Sequence, residues 1–203
     1  MLDTLNDLAD SFNAALTHFG FPTHPIDSYR YFTGQGIIGL TKNALPEEYR
    51  DNQTIDKVLQ EARSQYSRRW ADNTRPYPGI PELLTALVNQ GLPKVVLSNK
   101  PDHFTQLVVK KLLAEWSFEI IQGEKPPIPK KPDPTAALEI ADRLQIPPEK
   151  FLYVGDTNTD MWTAEAAGMY PVGVLWGFRP EELVESGAKT VIKAPAELLN
   201  LLD

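Results

Sequence analysis

Apolar residues recur at three- and four-residue spacing from the first turns of the chain: Leu5, Leu8, Phe12, Ala15 and Phe19 share one face of a helix that runs from Leu2 and ends near Gly20, with no strand before it. The same period returns at Ile55, Val58, Leu59, Ala62 and Tyr66, so residues 21–75 read as an all-helical insert containing the turn Thr33-Gly34-Gln35-Gly36. The pattern then changes. Arg75-Pro76-Tyr77-Pro78-Gly79 is rich in breakers and marks a domain boundary, after which a helix around Leu83, Leu84 and Leu87 leads into short apolar runs. These runs lie at 95–97, 118–121, 151–154, 172–175 and 190–192, separated by helical stretches. Such alternation predicts crossover units, and hence an α/β fold whose parallel sheet has helices on both faces. The proline-rich residues 125–134 are expected to form a loop between two elements.

Composition narrows the chemistry. With 203 residues, 42% of them hydrophobic, the chain can bury one sizeable core and a small satellite. A net charge of -7 without a long basic run argues against nucleic acid as a partner. There is no long apolar run and no basic, apolar leader, so a soluble, cytoplasmic protein without a membrane partner is expected. The absence of cysteine excludes disulfides, thiolate metal sites and a cysteine nucleophile, and three scattered histidines do not make a histidine cage. Any metal should be a hard cation held by carboxylates. His18, His24 and His103 read as surface or helix-end residues, and Trp70, Trp162 and Trp176 as packing.

In an open parallel sheet, ligands bind beyond the carboxyl ends of the strands. Ser98-Asn99-Lys100-Pro101 follows the run 95–97 and offers a hydroxyl and an amide to phosphate oxygens; taken alone, Ser98 or Asn99 more simply caps the next helix. Lys131-Pro132-Asp133-Pro134 fixes the chain before a helix and aims Lys131 inward, where an ammonium would neutralise a phosphoryl group. An exposed lysine in a turn is the plainer alternative, and Lys130 blurs the choice. Gly155-Asp156-Thr157-Asn158-Thr159-Asp160 follows the run 151–154 and sets two carboxylates four residues apart at the start of a helix. Beside phosphate such carboxylates imply Mg²⁺, and the small residues Ala164, Ala166, Ala167 and Gly168 favour this over a simple helix cap. Gly34 and Gly36 let a loop approach a ligand closely or merely form a tight turn.

In order and spacing these segments resemble the later motifs of the haloacid dehalogenase superfamily. The stretch 2–9, the 76–79 linker, Ser98-Asn99-Lys100-Pro101, Lys131-Pro132-Asp133-Pro134 and Gly173-Val174-Leu175-Trp176-Gly177 look like its phosphoglycolate phosphatase branch, over essentially the whole chain. The resemblance implies a Rossmann-like core of residues 1–12 and 77–203 with an inserted helical cap of residues 13–76, and a monomer or homodimer. It implies Mg²⁺-dependent hydrolysis of a small phosphorylated metabolite, 2-phosphoglycolate foremost. Ser98 and Asn99 would bind the phosphoryl group, Lys131 would stabilise transferred charge, and Asp156 would ligate Mg²⁺. Asp160 would stand one layer behind the metal, and Gly34 and Gly36 would lie in the substrate-facing loop of the cap.

The departure is at the start. The family's Asp-x-Asp-Gly-Thr, with its nucleophile and acid/base aspartates, does not occur in this sequence, nor does the hydrophobic strand before it, which in the family lies centrally between the strands ending at Leu97 and Val154. A sequence truncated at its start is therefore expected. Asp3 and Asp7 are not substitutes, because they fall on the opening helix. Competing expectations are a non-catalytic phosphate-binding relative, a haloacid dehalogenase, and a β-phosphoglucomutase-like enzyme.

Overall fold

The computed structural model describes residues 1–34 and 36–202. The chain forms two compact units, Met1–Arg75 and a second from Pro76 onward.

In the first unit a two-residue extended segment, Leu2–Asp3 (β1), precedes helix α1 (Leu5–His18). The helix begins later than its apolar period predicts because Asp3 Oδ1 accepts the Leu5 N–H at 3.2 Å, which holds the preceding backbone extended. It stops at Gly20, whose φ of 75° lets the Phe21 N–H turn back onto the Leu16 carbonyl at 2.9 Å. Helices α2 (Ser28–Phe32), α3 (Gly36–Ala44) and α4 (Asn52–Arg69) follow. Phe12, Ala15 and Leu16 of α1 and Val58, Leu59 and Ala62 of α4 are buried where those two helices pack.

The segment Arg75–Pro76 (β2) carries the chain across the boundary into α5 (Ile80–Asn89). Strand β3 (Val95–Pro101), helix α6 (Asp102–Leu112) and strand β4 (Ile120–Glu124) form one crossover unit, with β3 and β4 parallel. Helix α7 (Thr135–Leu144) then leads to β5 (Leu152–Gly155), α8 (Asn158–Ala166), β6 (Tyr170–Val174) and β7 (Thr190–Ile192). Strands β5, β6 and β7 are parallel in that order. Side chains alternate across β5 as the two-residue period requires. Leu152 packs with Val172, Val174, Ile192, Leu83 and Leu198, whereas Phe151 and Tyr153 pack with Ala137, Ala141, Ala164 and Ala167. Those alanines let α7 and α8 approach the sheet closely.

Strands β3 to β7 form two separate ladders, β3–β4 and β5–β6–β7, and among the described residues none joins β3 to β5. No described helix is long and apolar enough to cross a membrane.

Candidate active site

Gly155 ends β5, and a Cβ on it would come within 2.1 Å of the Asp160 Cβ, so only glycine lets the first turn of α8 fold back over the strand end. Thr157, extended at φ -141° and ψ 163°, begins that helix, and Asp160 lies in its first turn. Asp160 Oδ2 accepts the backbone N–H of Asp156 and of Thr157 at 3.2 Å each and the Thr157 hydroxyl at 3.0 Å. A carboxylate here also complements the positive end of the helix.

The other oxygen of Asp160 receives Lys131 Nζ at 2.6 Å. Lys131 reaches it from the loop before α7, and Asn99 at the far end of β3 fixes that loop. The Asn99 amide donates to the Lys131 carbonyl and its side-chain oxygen accepts the Lys131 N–H, both at 2.9 Å. Nζ donates as well to the Leu97 carbonyl at 3.2 Å and stands 6.0 Å from the Tyr153 ring centroid. Burial alone would lower the Lys131 pKa, but the carboxylate of Asp160 beside it raises it well above the ordinary lysine value. Burial likewise works against the charge on Asp160, and the Lys131 ammonium overcomes it and holds that carboxyl below the usual range. Burial pushes the Tyr153 hydroxyl up to about 12.

Asp156 is placed differently. Its Oδ2 accepts the Phe178 N–H at 2.9 Å and its main-chain carbonyl accepts the Arg179 N–H at 3.1 Å. The segment after β6 can lie so close because residue 177 is glycine, where a Cβ would come within 2.1 Å of the Asp156 Cβ. Arg179 pairs with Glu182 at 3.1 Å, and Glu182 accepts the Asn158 N–H at 2.8 Å. Burial, followed by the neighbouring Asp160, raises the pKa of Asp156. The pair thus divides: Asp160 is neutralised by Lys131, and Asp156 is a half-buried carboxylate whose charge is not fully offset. A hard divalent cation fits that donor set, since Mg²⁺ needs only one or two protein carboxylates and completes its shell with water and substrate oxygens. Among the described residues no cluster of three or more acidic or histidine side chains forms a full cage.

Lys131, Asn99, Asp156 and Asp160 therefore come together at the carboxyl ends of β3 and β5. Ser98 lies in β3 beside Asn99, and its hydroxyl accepts the Lys100 N–H at 3.1 Å. Gly34 and Gly36 belong to the helical unit and have φ of 109° and 76°; Gln35 between them lies outside the described residues. Asp7, 1% exposed, is spent on structure. Its carboxylate accepts the backbone N–H and side-chain amide of Asn73, and the N–H and hydroxyl of Thr74, at 2.7–3.1 Å. Sequence reasoning missed three features: Gly177 and Phe178 bracing Asp156, the grip of Asn99 on Lys131, and His24, whose ring packs edge-on against Tyr29 and Phe32. Only the small residue in Trp176-Gly177-Phe178 hinted at the first.

The family model for Haloacid dehalogenase-like hydrolase matches residues 1–174. A phosphoglycolate phosphatase of Aquifex aeolicus is 28% identical over 203 residues, covering 100% of this chain and 92% of that protein. One from Nitrosospira multiformis is 32% identical over 183 residues, covering 88% and 80%. Among solved structures, a protein of Lactobacillus delbrueckii subsp. bulgaricus superposes with a TM-score of 0.91 at 27% identity, covering 99% of this chain and 93% of its own. A haloacid dehalogenase-like family protein of Streptococcus pneumoniae superposes at 0.89 with 22% identity, covering 100% and 93%. The match takes in β3, the Lys131 loop and the Gly155–Asp160 turn, where the site was built above, and the chain belongs to the haloacid dehalogenase-like hydrolase family.

Proposed function

We propose that this protein is a Mg²⁺-dependent phosphomonoesterase acting on a small phosphorylated metabolite, 2-phosphoglycolate foremost, in the cytoplasm. The observation that carries this reading is the division of labour at the strand ends: one buried carboxylate paired to a fixed ammonium, and a second, four residues away, with its charge not fully offset. The relatives named as phosphoglycolate phosphatases support the substrate class. In this reading residues 1–12 and 77–203 form the catalytic core and residues 13–76 the cap, with Gly34 and Gly36 in its substrate-facing loop.

Asp156 would hold Mg²⁺, with Asp160 supporting it indirectly. When bound, the ion supplies charge neutralisation to phosphate oxygens in an in-line displacement. Lys131 adds a second positive charge, aimed before the substrate arrives because Asn99 holds its backbone and Asp160 its ammonium. Ser98 and the Asn99 amide lie where phosphoryl oxygens would be bound. Asp160 accepts the Lys131 ammonium and so keeps it charged across the physiological range. The attacking carboxylate that the family implies is not supplied by Asp156 or Asp160, both already engaged, nor by Asp7, which is saturated by Asn73 and Thr74.

The test is phosphate release from 2-phosphoglycolate, with and without Mg²⁺. It is run on this chain and on a version extended at its start by an apolar strand and Asp-x-Asp-Gly-Thr. Metal-dependent release from the extended version alone supports the phosphatase with an aspartyl nucleophile. Turnover of a haloacid without metal would overturn it in favour of a dehalogenase. Binding of phosphate without turnover by either version would favour a non-catalytic role.

A further inference from the structure

Asp156 sits in a turn whose backbone is held at three successive amides. Its own N–H and that of Thr157 go to Asp160 at 3.2 Å each, and the next, of Asn158, goes to Glu182 Oε1 at 2.8 Å. Asp160 belongs to the turn itself, but Glu182 comes from the segment after β6, 24 residues along the chain from Asn158. The same Oε1 lies 3.1 Å from Arg179 Nε, in an ion pair whose side chains are 12% and 25% exposed and so little screened by salt. Arg179 in turn donates its backbone N–H to the Asp156 carbonyl at 3.1 Å. A ring closes: Asp156 to Arg179 through the main chain, Arg179 to Glu182 by charge, Glu182 to the Asn158 amide, and Asn158 back to Asp156 along the turn.

The far side of this ring is anchored. Leu183, next to Glu182, is fully buried and packs against Gly173 of β6, where a Cβ would come within 3.1 Å of Leu183 Cδ1. The Glu182 and Leu183 carbonyls accept the Ser186 and Ala188 N–H groups at 3.0 Å each. The Glu182 carboxylate is thus carried on backbone fixed to the sheet, and it meets the first residue of α8, where negative charge is favoured. We propose that Glu182 is a positioning residue for the cation site: it holds Asn158 and Arg179, and through them fixes the backbone that aims the Asp156 carboxylate. In this role Glu182 does not itself bind the ion. Partners standing behind a metal ligand govern affinity by about ten- to a hundredfold, because they set the orientation of the ligating group before the ion arrives. The inference rests on the reading that Asp156 holds Mg²⁺.

Calorimetric titration of the full chain with Mg²⁺ alone tests this, since it requires no turnover. Glu182→Ala should weaken Mg²⁺ binding about tenfold or more. Glu182→Gln keeps the oxygen that Asn158 and Arg179 meet and should bind within about threefold of the native chain. Glu182→Asp keeps the charge but is one methylene too short to reach Asn158, and should bind about as poorly as Glu182→Ala. The control Glu197→Ala removes another carboxylate that accepts a backbone N–H, that of Lys193 at 3.2 Å, and should leave Mg²⁺ binding unchanged. In chelator, hydrogen exchange at the Asn158 amide should quicken in Glu182→Ala and Glu182→Asp but not in Glu182→Gln. Should Glu182→Ala fail to fold, Glu182→Gln and Glu182→Asp carry the same comparison. Native affinity in Glu182→Ala would overturn the positioning role. So would native affinity in Glu182→Asp with weak binding in Glu182→Gln, which would make the effect one of charge. A native chain that binds no Mg²⁺ would overturn the cation reading, and this inference with it. Where the native chain binds and Asp156→Asn does not, the reading stands and the Glu182 variants decide the inference alone.

Discussion

The side chain of Asn99 grips the backbone of Lys131 from both sides, donating to its carbonyl and accepting its N–H at 2.9 Å each. The ammonium that meets Asp160 is thus aimed by an amide on β3.

Replacing Asn99 should therefore act through the loop. Asn99→Ala removes both bonds and is expected to cost about 2 kcal/mol in urea unfolding, while Asn99→Asp, which keeps the acceptor, should cost less. Equal losses in the two variants would mean that the Lys131 N–H contributes nothing.

The two carboxylates at the site should respond to neutralisation in opposite directions. Asp160 has a lowered folded pKa, so its contribution is present above the ordinary carboxylate range and fades as pH falls toward the folded value. Asp156 has a raised folded pKa, so it stabilises fully only below that range, and stability declines as pH rises through the raised value. At pH 7 without metal, Asp160→Asn should cost about 3 kcal/mol by leaving the enclosed Lys131 ammonium without its counter-charge. Asp156→Asn should raise stability under the same conditions. Chemical denaturation at pH 7 and near pH 4 in chelator measures both, and a loss from Asp156→Asn would contradict the assignment.

Addition of Mg²⁺ should raise the thermal midpoint of the native chain and leave that of Asp156→Asn unchanged, because ligand binding to the folded state alone is stabilising. An equal rise in both would place the cation elsewhere.

Gly155 and Gly177 should not accept a methyl group. Each is blocked by the β-carbon of an aspartate at 2.1 Å, so Gly155→Ala and Gly177→Ala are expected to cost about 3 kcal/mol or prevent folding. Gly91→Ala is the control: its φ is 67° with open space around it, and it should cost about 1 kcal/mol from backbone strain only.

The elements themselves were legible because their signal is local. The 3.6 period located α1 and α4, short apolar runs located β3 to β7 to within a few residues, and Gly155 with Asp160 marked a strand end turning into a helix. The site was legible to the extent that it too is local. Asp156 and Asp160 belong to one hexapeptide, and their pairing across a helical turn follows from spacing. Spacing alone does not say which of the two pairs with a lysine, since that depends on a loop 29 residues away from Asp160. Phe178 on Asp156 lies 22 residues off and Asn99 on Lys131 lies 32. No periodicity in a single chain encodes such pairings. Asp7 is the plainest case: its position on a helix argued against a nucleophile, but nothing near it announced partners at Asn73 and Thr74.

That distant bond gives the helical unit a particular freedom. Asp7 and Thr74 are 67 residues apart in the chain and meet at 2.7 Å, so the helices between them lie in a loop whose two ends are tied together. Once the ends of a loop are fastened, lengthening it is inexpensive, with each doubling costing only about 0.6 kcal/mol of closure entropy. Residues added to the loops between α1 and α4 would leave the place where the two ends meet unchanged. The clamp makes this unit a cassette.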